Sequence, residues 1–194
     1  MAPTGTPSNV IVGFADLYIA PANTASPIPA VTVGSATFQP ISTPWEYSGF
    51  TETGVTLNVD RKTQNIMVEE QSTPVAVVDD TTDVTIDVTF AEDTIENMLN
   101  AYGGGVITTT AATANSPGQT QLVLADGLEQ LAVCFTATNA FGFERLVYIP
   151  QMVSAGKVKT QYMRNKSPRL YPATFTAVCA LSQIAITDLT AVVS

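Results

Sequence analysis

Catalysis and metal binding need particular side chains at particular spacings, and this sequence offers few such groupings. Ser154 and Lys157 have the S-x-x-K spacing in which a lysine activates a serine nucleophile. That pair belongs at a helix start with partner motifs elsewhere, and neither accompanies it here. Asp79, Asp80 and Asp83 match a D-D-x-x-D pattern for magnesium diphosphate. Such a site needs a helix that puts the first and last carboxylates on one face, whereas these surroundings predict a Thr-rich turn between two strands. A calcium site on the same carboxylates is the lesser alternative. Glu69 and Glu70 adjoin on an expected strand and so point to opposite faces. Gly103, Gly104 and Gly105 follow an expected helix instead of opening one, so they are no phosphate cradle. The chain has no His, which removes the commonest general base and metal ligand. Cys134 and Cys179 sit in separate apolar runs without a CxxC and read as buried free thiols, with a disulfide the alternative. These residues predict a protein that is not an enzyme and carries no metal or cofactor.

The elements that would carry such residues are mostly strands. The 194 residues include 28 Thr, 21 Val and 11 Ile, and 45% of the chain is apolar. A β-branched load of that size favours strands over helices, and the length suffices for one domain with a real core. Residues 1–9 predict a mobile arm, and 10–19 a first strand. Residues 20–44 hold five prolines and predict an irregular excursion. Just beyond it, Trp45 reads as a buried anchor. Strands are expected over 55–60, 65–70 and 75–78. The sharpest alternation is 84–90, with Val84, Ile86, Val88 and Phe90 on one face and Thr85, Asp87 and Thr89 on the other. The period then switches to helical for Ile95, Met98, Leu99 and Tyr102, with Asp93 and Glu96 resembling a capping box and Gly103 a stop. Residues 103–121 predict a flexible low-complexity loop. Further strands are expected over 122–125, 131–136, 145–149, 156–162, 173–181 and 184–193. The fold class is therefore mainly β, a sandwich or barrel with one flanking α-helix. No secretory n-region and no apolar run of membrane-spanning length stands out.

Charge is unevenly distributed. The formal net charge is −9, which argues against a protein that grips nucleic acid or an anionic membrane. Residues 1–144 hold 16 acids and 2 bases, whereas 145–194 hold 6 bases and 1 acid. Lys157, Lys159, Arg164, Lys166 and Arg169 form a basic segment that fits a contact with an acidic partner better than one with DNA. If the two regions occupy different surfaces, identical copies can meet head to tail.

Residues 49–105 carry a resemblance. A Gly-x-Thr approach to a strand (Gly49, Thr51, Gly54, Val55) precedes a hairpin ending in an acidic-Gln-Pro segment (Glu69, Glu70, Gln71, Pro74). A Thr-rich alternating strand (Thr85, Ile86, Val88, Phe90) and a helix start (Glu92, Thr94, Glu96, Asn97, Leu99) follow. In this order the motifs resemble the major tail (tail tube) proteins of long-tailed bacteriophages. The resemblance implies a structural virion protein whose copies form hexameric rings stacked into a tail tube for DNA ejection. It implies other tail proteins as partners, such as tape measure, tip or terminator components, and a place in the virion tail after assembly in the host bacterial cytoplasm. Double-stranded DNA would pass through without tight binding. By this analogy the hairpin over 55–78 makes inter-subunit contacts, through Val55, Leu57, Val59, Asn65, Met67, Glu69 and Pro74. Asp60, Asp83 and Asp87 are the candidate acidic lumen face. A different head or head-tail shell component, or a ring protein of a secretion-system tube, are the alternatives.

Overall fold

The computed structural model describes residues 15–27, 41, 43–70, 72–138, 144–160 and 170–189. In chain order they form β1 (Ala15–Pro21), β2 (Glu46–Tyr47), β3 (Thr51–Ile66), β4 (Ala76–Phe90), α1 (Ile95–Tyr102), β5 (Gly105–Thr110) and β6 (Gln119–Leu124). There follow β7 (Gln130–Thr138), β8 (Glu144–Ser154), β9 (Tyr171–Ala177), a 3-10 turn (Leu181–Gln183) and β10 (Ala185–Leu189). The main sheet runs β2-β1-β7-β8-β9-β4-β3, with β10 also on β8, and β5-β6 form a separate hairpin. Every pairing is antiparallel.

The sheet folds over itself because β8 serves two neighbours on one side. Its first half carries β10, and only Met152, Val153 and Ser154 pair with β9. Between these stretches Pro150 and Gln151 fall in an irregularity opposite Ala132, where the register to β7 shifts. A bulge bends a strand, and proline is tolerated there because it has no N–H to donate. The β1-β7-β8 half and the β9-β4-β3 half then face each other across one core. Leu17, Ile19, Val133, Phe135, Val147 and Ile149 meet Val84, Ile86, Val88, Phe90, Ala173 and Phe175 there, all buried. Phe90 and Phe175 pack edge to face, 6.5 Å between centroids. Each such ring contributes about 1.5–3 kcal/mol by burial. The mainly β fold with one flanking helix is thus as expected from the alternating pattern.

The first half is buried on its outer face too. Ala20, Ala132, Cys134 and Leu146 point away from the main core and are covered by Trp45, Tyr18, Ile41 and Tyr148. Trp45 donates to the carbonyl of Ala25 at 3.2 Å and Tyr148 to that of Thr24 at 2.6 Å. The described flanks of the Pro-rich excursion therefore form a cover, and Trp45 is the buried anchor expected. Residues 28–40, like 1–14, lie outside the described residues.

Several local expectations need correction. Residues 76–83 continue β4 without a break, so Asp79, Asp80 and Asp83 lie on a strand and not in a turn. Conversely, Glu69 and Glu70 lie in the turn joining β3 and β4. The expected loop 103–121 contains β5 and the first half of β6, and Thr109 pairs with Thr120 across the ladder. Polar composition hid this hairpin because neither of its faces joins the core. The helix N-cap is Thr94, whose hydroxyl accepts from Asn97 N at 3.1 Å, so the Asp93–Glu96 capping box is not what closes the end. Asp93 instead accepts from the Tyr171 hydroxyl. Gly103 does stop the helix, at φ 81°. A side chain there would also strike the Ser154 carbonyl, 2.8 Å from the Cβ position. Residues 156–160 are not strand.

Candidate assembly surfaces

Alternation along β4 places its acids. Val84, Ile86, Val88 and Phe90 are buried, so Asp83, Thr85, Asp87 and Thr89 face the other way. The register sets Asp60 opposite Asp83, Asn58 opposite Thr85, and Thr174 opposite Asp87. The structure thus brings Asp60, Asp83 and Asp87 together on one exposed face of β3, β4 and β9. Like charges directly across a sheet repel. Lys62 offsets the Asp60–Asp83 pair by bridging to Asp83 at 2.5 Å, and that hydrogen bond raises the lysine pKa. Asp87 accepts from Asn58 and from Thr174, each at 2.7 Å. These partners orient the carboxylates without covering them.

Beyond this face, β3 and β4 continue as a bare ribbon. Pairing of β4 with β9 ends at Thr85, so residues 76–83 and their β3 partners project roughly 25 Å at ~3.3 Å per residue. Of the expected contact residues, Val55 and Leu57 pack against the chain's own core. Val59 is 54% exposed, Asn65 pairs with Val77, and Met67, Glu69 and Pro74 are exposed in the turn. The ribbon end also exposes Ile66, Val68, Val75, Val77 and Val78. The outer edge of β3, 16 residues long, has no partner strand among the described residues.

Of the basic residues, Lys157 and Lys159 are exposed beside the end of α1, where Tyr102 and Thr160 hydroxyls share a hydrogen bond at 3.2 Å. Arg164, Lys166 and Arg169 lie outside the described residues. Ser154 is buried and donates to the Ala101 carbonyl at 2.6 Å, so it anchors α1 and is no nucleophile poised by Lys157. Among the described residues no cluster of His, Cys, Asp or Glu is arranged to hold a metal ion.

A match to a family of phage tail tube proteins spans residues 3–147. The chain belongs to the phage tail tube protein family. It is a structural protein of the virion tail, and family membership implies assembly with copies of itself. Curated proteins give no match. No helix of the tail tube chain among the described residues is long and apolar enough to cross a membrane.

One residue of this protein, part of the helix-start motif, has a structural role that the sequence does not reveal. Asn97 is buried, and its amide donates to the carbonyls of Ser48 at 2.9 Å and Glu92 at 3.3 Å. Ser48 in turn donates to the Leu17 carbonyl. Asn97 so ties α1 to β1 through the segment before β3. Glu92 accepts from Phe50 N at 2.9 Å, and its carboxylate fills the space a side chain at Gly49 would need. An asparagine flanked by helix formers gives no period or motif that signals such a lock.

Proposed function

We propose that copies of this chain, acting as a single tail-tube domain over 1–194, close into rings, six to a ring as the resemblance implies, that stack into a tube for DNA ejection. The exposed face of β3, β4 and β9 lines the bore. The observation that carries this reading is the gathering of Asp60, Asp83 and Asp87 on one Thr- and Asn-rich face, next to an unpartnered strand edge. A long bare edge is a template for pairing with another copy, which would extend the polar face around a ring. Duplex DNA carries one negative charge per ~1.7 Å of axis, and a basic wall would hold it by counterion release. An acidic wall repels the polyanion and lets it slide. Tape measure, tip and terminator proteins are the expected partners, and assembly takes place in the host bacterial cytoplasm.

Two measurements test this. Negative-stain microscopy of the purified chain at rising concentration should show stacked rings or tubes; single particles at every concentration contradict the reading. Phage carrying Asp60→Lys, Asp83→Lys and Asp87→Lys together should still build tails but release DNA more slowly. Ejection at the normal rate would remove these residues from the bore.

A further inference from the structure

The ribbon end is an apolar surface in an acidic frame. Ile66, Met67, Val68, Val75, Val77 and Val78 are 39–62% exposed. Glu69, Glu70, Asp79 and Asp80 surround them, with no ion-pair partner among the described residues. The chain's own core cannot cover this end, because the ribbon holds it well beyond the last β9 pairing.

A second apolar surface lies at the root of the β5-β6 hairpin. Val106 and Val123 face each other across that ladder and are 64% and 52% exposed. Leu124 and Leu128 add 57% and 61% exposed side chains. This root is fixed to the end of α1: Glu129 N donates to the Gly103 carbonyl at 2.7 Å, and Leu99 and Leu122 crowd Gly105. Lys157 and Lys159 emerge at the same end of α1, on the segment that Ala155 and Thr160 tie to Thr174 and Tyr102. Asp126 and Glu129 also lie here, in the β6–β7 turn.

We infer that the ribbon end of one copy seats on the β5-β6 root of the next, as a head-to-tail contact between two different surfaces. The apolar side chains of each cover the other. The ribbon-end acids meet Lys157 and Lys159, and Arg61, further back on β3, answers Asp126 and Glu129. Two unlike, complementary surfaces on one chain give a contact that repeats from copy to copy, closing into rings or running along an axis. This pairing rests on the tube reading and names the receiving surface within it.

Cross-linking of the full chain tests it. In a Cys179→Ser background, Val77→Cys and Val106→Cys are placed on one chain and the assembled material is treated with a short bismaleimide. The expected result is a ladder of covalent oligomers. Either substitution alone gives no ladder, and a mixture of the two single variants gives dimers at most. Asp79→Lys with Asp80→Lys should abolish assembly, and adding Lys157→Glu with Lys159→Glu on the same chain should restore it. Tubes that form without a ladder overturn the pairing while leaving the tube reading intact. A parent chain that never assembles overturns both.

Discussion

The two halves of β4 are one continuous strand with opposite fates. In residues 84–90 every second side chain enters the core, and Ile86 and Phe90 are fully buried. In residues 76–83 valines and aspartates alike stand in solvent. The first half is held by the opposing layer of β1, β7 and β8. Among the described residues, 76–83 are held only by their ladder to β3 and by Lys62. A two-stranded ribbon is marginal by itself, so exposed valines there stabilise little within one copy. The difference separates residues that make the subunit fold from residues free to join subunits together.

The comparison breaks most directly at Phe175, which meets Phe90 in the buried half. Phe175→Ala should cost about 3–5 kcal/mol in chemical denaturation, since the cavity cannot be refilled. A cost under about 1 kcal/mol would mean that the opposing layers do not carry the stability.

Cys134 sharpens the contrast through pH. Burial raises its thiol from 9.0 to about 12. The unfolded thiol loses its proton first as pH rises, so stability is full below pH 9.0 and declines between there and about 12. The slope should approach 1.4 kcal/mol per pH unit, about the worth of one pKa unit. Cys134→Ala should lose that part of the slope, measured by thermal unfolding from pH 8 to 11.

Thr94→Ala removes the helix cap and should cost about 1 kcal/mol. The smallest effect on the free subunit belongs to the ribbon. Val77→Ser should shift its unfolding by no more than about 0.5 kcal/mol, yet reduce assembly seen by light scattering. A large loss of subunit stability instead would show that the ribbon folds back onto its own domain in solution.

Much of the buried half was legible because alternation at period two survives wherever one face is dry. Val84 to Phe90 announced both the core and the face of Asp87. The helix was legible from its period, and its stop from Gly103. The β5-β6 hairpin was not, because its apolar residues cluster at the root and the Thr- and Gln-rich remainder, exposed on both faces, has no alternation to read. Around Asp79, Asp80 and Asp83 the run of acids and threonines resembles a turn in composition. Only cross-strand partners reveal that it is ribbon.

The order of residues alone determined a β-rich subunit with an acidic surplus over residues 1–144 and a basic surplus over 145–194, because side-chain chemistry and periodicity are local properties. Tertiary structure decided that Asp60, Asp83 and Asp87 share a face, that Val55 and Leu57 are spent on the core while Val77 is not, and that Asn97 locks helix to strand. Apart from the common side of Asp83 and Asp87, which alternation along β4 gives, those outcomes depend on register and layer packing between residues far apart in the chain, and no local pattern encodes them.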